Sequence, residues 1–191
     1  FPLFASEVAV EGLYGMLPIR RVPVAPFGTI EVFKGPNALV NGVAPFGNIG
    51  GMINLAPKRA QARRTRDVTA TFISAGQLGG HVDLGQRFGQ EQQFGVRANA
   101  AHYAGDLALD DANRRADVAS LALDYDAGRL KLTADLLYTS ETIKGQDHHL
   151  TANDGFAIPD APDATLNYGQ PWTRTTNDSK SFILGGSYEI L

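Results

Sequence analysis

The sequence predicts a mainly β protein in which a leader of short strands precedes the antiparallel strands of an incomplete transmembrane β-barrel. Three observations carry that prediction. The first sixty residues are rich in Gly and Pro, with only short apolar runs between breakers. From Thr65 onward, apolar and polar residues alternate with period two over long stretches. The connections between those stretches are by turns short and long, as in outer-membrane barrels.

Composition bounds the alternatives. The 191 residues are 43% hydrophobic and 19% charged, enough for one sizeable domain or two small ones. A net charge of -3 and a pI near 5.8 supply no basic patch, so no nucleic-acid partner is expected. The chain has no cysteine, which leaves neither a disulfide framework nor a thiolate metal site. No stretch approaches the roughly 20 apolar residues of a transmembrane helix, and the amino end lacks the regions of a signal peptide. A mean hydropathy of -0.14 fits a membrane barrel, because alternating strands average out. Phe1 opens inside an apolar run and Leu191 falls inside a strand-like alternation, so the chain is expected to be a fragment.

In chain order, residues 1–60 read as short strands and turns. After Lys58 and Arg59 the texture changes, which places a boundary near Gln61 and a second unit over 61–191. The first alternating segment runs from Thr65 to Ala75, with Val68, Ala70 and Phe72 opposite Asp67, Thr69 and Thr71. The second sets Val82, Leu84 and Phe88 against His81, Asp83 and Arg87, and the third Phe94, Val96, Ala98 and Ala100 against Arg97 and Asn99. The fourth, Asp117 to Tyr125, has Leu121, Leu123 and Tyr125 opposite Ser120 and Asp124. The fifth sets Leu130, Leu132, Ala134, Leu136 and Tyr138 against Lys131, Thr133 and Asp135, and the sixth begins at Ser181 with Phe182, Leu184, Tyr188 and Ile190 on one face. About six strands of near ten residues match the length that crosses a bilayer at a tilt.

Tight turns are expected at 88–94 and 126–129 and longer loops at 105–114 and 145–178, while the short link at 76–80 departs from the pattern. Phe88, Phe94 and Tyr125 beside the tight turns, and Tyr103 and Tyr138 toward the longer loops, resemble two interfacial girdles. The same alternation also suits a soluble antiparallel sheet whose aromatics form an ordinary core.

Two motifs break that tie. Ile30-Glu31-Val32-Phe33-Lys34-Gly35-Pro36-Asn37-Ala38-Leu39 resembles a segment of the plug of TonB-dependent siderophore receptors, and Gly50-Gly51-Met52-Ile53-Asn54-Leu55-Ala56-Pro57-Lys58-Arg59 resembles the exit of that plug into its barrel. Gly12-Leu13-Tyr14-Gly15 and Arg20-Arg21-Val22-Pro23 are similar to plug segments upstream. The resemblance implies a mixed α/β plug remnant of short strands and small helices over 1–60 and the first strands of a plugged barrel over 61–191, in the outer membrane of a Gram-negative bacterium. It further implies import of a ferric siderophore, of a hydroxamate type such as ferrichrome, energised by a TonB-ExbB-ExbD complex whose contact segment lies outside this chain. The ferric siderophore enters as transported ligand, and no cofactor is expected.

Site residues are expected on the same basis. Gly35 and Pro36 end a strand, and Gly50 and Gly51 allow close backbone approach or positive φ. Glu31 and Lys34, enclosed by a barrel wall, each require a partner, and the resemblance implies ion pairs with inward-facing barrel residues. Tyr14 and Arg20 in the plug, and Tyr168, Trp172 and the His148-His149 pair in the long loop, are the ligand-binding candidates; Arg offers charge-assisted hydrogen bonds to chelate oxygens. Neighbouring histidines on an extended chain point opposite ways, so no metal site is expected of them. Gly-x-Ser-x-Gly, His-Glu-x-x-His and phosphate-loop motifs are absent, and Asp110-Asp111 and Asp124 with Asp126 read as loop and turn residues, so no enzyme is expected. The rivals are a receptor of the same kind for haem, cobalamin or a glycan, a passive porin-like channel, and a soluble β-rich binding module.

Overall fold

The computed structural model describes residues 5–18, 21–36, 38–45, 50–73, 76–145 and 163–190. The leader opens with a 3-10 turn at Ala5–Glu7 and forms β1 (Val8–Val10), β2 (Leu13–Tyr14), β3 (Phe27–Lys34), the short helix α1 (Ala38–Asn41) and β4 (Gly51–Pro57). These strands make one sheet in the order β2-β1-β4-β3, with β1 parallel and β3 antiparallel to β4. Glu11 and Gly12, the two loop residues of the β1-β2 hairpin, both have positive φ, as a tight turn matched to the strand twist requires. Gly35 has φ 85 and donates its N–H to the Gly50 carbonyl at 2.9 Å, which turns the chain out of β3. Gly51 has φ 137, and a Cβ there would run into the Phe33 carbonyl, so only glycine fits.

The second sheet holds β5 (Thr65–Ile73), β6 (Gln77–Phe88), β7 (Phe94–Asp106), β8 (Asn113–Ala127), β9 (Leu130–Lys144) and β10 (Arg174–Tyr188), each antiparallel to the next in an open meander. Register aligns their side chains in rows across the sheet. One row is Leu84, Ala98, Leu121, Leu136 and Phe182; the next is Val68, Val82, Ala100, Ala119, Tyr138 and Lys180. These rows are exposed: Val68 is 81% exposed, Phe182 59% and Leu136 49%. The opposite face carries Gln77, Asp83, Arg97, Asn99, Asp135 and Thr139, all buried. A protein folded for water sorts these residues the other way, so the sheet is inside out.

The leader sheet covers this polar face. Val10, Phe27 and Leu55 pack on Ile183 of β10, with Val8, Met16, Leu17, Val22, Ile53 and Leu137 around them. Ser181 hydroxyl adds a hydrogen bond to the Met16 carbonyl at 2.5 Å.

Several expectations need correction. The strands run longer than the alternation suggested: β8 starts at Asn113, β9 continues to Lys144, and β10 starts at Arg174 rather than Ser181. In these extensions the exposed face turns polar (Arg115, Ser140, Thr142, Thr176, Asp178), so hydropathy no longer alternates although the hydrogen-bond ladder continues. Phe88, Phe94 and Tyr125 do share a row, with the Phe94 and Tyr125 rings 4.8 Å apart, and Tyr138 carries the Lys180 ammonium over its ring at 5.9 Å. Tyr103, however, lies on the inner face across Gly79, not in an outer girdle. Asp124 is no turn residue: it faces inward and pairs with Arg87 at 2.6 Å.

Candidate functional site

The chemistry of the molecule gathers where the leader meets the polar face of the six-stranded sheet. At the end with the tight turns, β4 leaves its sheet through Lys58 and Arg59, and neighbours on an extended chain point opposite ways. They therefore reach different strands. Arg59 holds Asp135 of β9 through two parallel bonds, Nη1 to Oδ1 at 2.6 Å and Nη2 to Oδ2 at 2.7 Å, and Nη2 also reaches Glu11 at 3.2 Å. Burial works against the charge of Arg59, but Asp135 and Glu11 more than offset it and hold the guanidinium above its ordinary pKa.

Lys58 reaches Asp83 of β6 at 2.9 Å. The same carboxylate takes both arms of Arg97, at 2.5 and 2.9 Å, while Arg97 also donates to the Thr65 hydroxyl at 2.7 Å. Gly85, directly across from Arg97, leaves the space in which that side chain lies. Asn99, with its amide nitrogen toward Asp83, donates to both carboxylate oxygens at 3.2 Å and to His81 Nε2 at 3.0 Å. A buried ion costs several kcal/mol unless paired, which is why each of these charges has a partner. Nearer the turns, Arg87 donates to the Ala60 carbonyl at 3.0 Å and so ties the start of the linker to the wall.

At the other end, with the connections 107–112 and 145–173, Arg114 Nε donates to Glu141 at 2.5 Å and its Nη1 to Gln77 at 3.4 Å. Arg21 of the leader stands 4.0 Å from the same glutamate. Beside them Pro18, residues 21–25 of the leader and the inner faces of β7 to β9 line a cavity of about 190 Å³. Its lining is mainly apolar, with Val22, Val24, Ala116 and Val118 beside Tyr103, Arg114 and Glu141. Thr139, 5% exposed, lines it too, and its hydroxyl has no hydrogen-bond partner among the described residues.

The residues singled out in the sequence are dispersed. Tyr14 turns its hydroxyl onto the Met52 sulfur at 3.4 Å, and burial, with Glu7 nearby, raises its pKa. Tyr168 and Trp172 are exposed on the segment that leads into β10, Trp172 at 78%. Arg20, His148 and His149 lie outside the described residues. Glu31 and Lys34 sit on β3, the edge of the leader sheet, and both are exposed; Glu31 accepts from Asn54 Nδ2 at 2.8 Å. Among the described residues neither pairs with the six-stranded sheet, and the ion pairs from leader to wall run through Lys58, Arg59 and Arg21. Asp83, Arg97 and Asp135 were the partners to look for. Arg97 is the one charge on the polar side of β7, whereas Asp83 shares its side of β6 with Arg87, and Asp135 its side of β9 with Lys131 and Glu141.

No family model matches the chain. Over all 191 residues it is 38% identical to the ferrichrome receptor FcuA of Yersinia enterocolitica, and it spans 25% of that receptor's length. Among solved structures it superposes on BauA, the ferric preacinetobactin receptor of Acinetobacter baumannii, with a TM-score of 0.93 and 32% identity, over 97% of this chain and 28% of that one. FpvA of Pseudomonas aeruginosa, solved with bound pyoverdines, gives 0.82 at 18% identity over 97% of this chain and 26% of that one, a likeness of fold.

Proposed function

Because the chain belongs, in sequence and fold, with the TonB-dependent siderophore receptors of the Gram-negative outer membrane, we propose that its parent protein binds a ferric siderophore outside the cell and imports it into the periplasm. One observation carries this reading. The same six strands bury an ion-paired polar face under the leader and expose an apolar face, which suits lipid outside and a filled lumen inside. Four rows of mainly apolar residues, from Phe88-Phe94-Tyr125 to Val82-Ala100-Tyr138, span about 20 Å of strand, or roughly 15 Å of height at a barrel tilt of about 40°.

The transported class we favour is a hydroxamate chelate of the ferrichrome kind, supported by the likeness to FcuA. Energy would come from a TonB-ExbB-ExbD complex acting on a segment outside this chain. The test is uptake of radiolabelled ferrichrome by cells that lack their own hydroxamate receptors and carry the full-length gene. TonB-dependent accumulation is expected. Uptake of haem or cobalamin instead would overturn the ligand class, and accumulation that persists without TonB would overturn energised import.

A further inference from the structure

We propose that the cavity beside residues 21–25 of the leader is a subsite for one oxygen-bearing arm of the transported chelate, with the Thr139 hydroxyl and Arg114 as its polar contacts; this rests on the siderophore reading above. Three features point there. Thr139 is buried on the inner face of β9, and its hydroxyl has no partner among the described residues, in a fold that pairs Lys58, Arg59, Arg87, Arg97 and Arg114 with acids. A buried hydroxyl with no partner destabilises a protein, so a valine of nearly the same shape would serve the fold better. Arg114 spends its Nε on Glu141 and its Nη1 on Gln77, and the guanidinium fork has five donors, which leaves capacity facing the same space. The cavity also opens at the end of the sheet that carries the long connections, the side from which ligand would arrive.

The lining decides what can enter the cavity of about 190 Å³. It fits a short arm that ends in a carbonyl or hydroxamate oxygen, an acceptor for both the threonine O–H and the arginine N–H. Its methylenes would lie on Val22, Val24 and Val118.

The test uses the full-length receptor in detergent, titrated with ferrichrome and ferrioxamine B, and reads affinity together with thermal stability. Thr139→Val is expected to weaken binding about fivefold, the loss of one hydrogen bond, while stability holds or rises. Thr139→Ser restores affinity, and Val118→Phe, which fills the space, weakens it at least as much. If wild-type receptor binds both chelates and neither Thr139→Val nor Val118→Phe changes the affinity, the cavity holds water only and the subsite is overturned. A wild-type receptor that binds no ferric chelate sinks the functional reading and the subsite together.

Discussion

Asp83 answers for two cations at once, Lys58 of the linker and Arg97 of β7. Asp83→Asn keeps the shape and removes the charge, leaving two positive groups in a site that shields them poorly from each other. Breaking a pair of this kind costs about 3 kcal/mol. In the full-length receptor the junction should open more often, so trypsin should cut after Lys58 or Arg59 at least tenfold sooner than in wild type; equal cleavage would show that Asp83 holds nothing. Gly51 makes a steric demand instead. Gly51→Ala combines an unfavourable φ of 137 with a Cβ directed at the Phe33 carbonyl, at a cost of about 2 kcal/mol. Faster hydrogen exchange at the Gly35 amide, which bonds to Gly50, is the expected sign.

At the level of the strand, alternation in sequence reported the lipid-facing stretch and little else. The pattern at Val82, Leu84, Leu121, Leu123 and Leu136 was legible because one face of those segments is apolar and the other is not. Arg174 to Asp178 reads as loop because both faces there are polar, and nothing in composition separates a strand in water from a loop in water. Tyr103, by contrast, was legible: it has the parity of Arg97 and Asn99, opposite Phe94, Val96, Ala98 and Ala100, and Gly79 across the ladder leaves room for its ring. The ion pairs were hidden for another reason. Lys58 and Asp83 are 25 positions apart, and only the packing of leader on wall brings them together. The apolar band makes its own prediction. Leu136→Arg, in the middle of the band, should cost about 2–4 kcal/mol when the full-length receptor folds into lipid vesicles, whereas Ser140→Arg, four residues nearer the long connections, should cost no more than about 1 kcal/mol. Urea titration of both variants measures the difference, and equal costs would mean that the band does not lie in hydrocarbon.

For the molecule as a whole, an open six-stranded sheet with an apolar outer surface cannot be stable alone in water. Expressed by itself, the 191-residue chain should pellet from buffer and stay dispersed only with detergent, as sedimentation would show. A monodisperse species without detergent would mean that the apolar rows close on one another. The extensions of β8 to β10 bear on how the outside world meets this surface. Beyond Tyr138, Ser140, Thr142 and Lys144 continue the outward side of β9, and they lift its tip about 15 Å above the greasy belt. The apolar rows are thus topped by a stiff collar of main-chain bonds between β8, β9 and β10, which carries the order of the sheet well past the last greasy side chain.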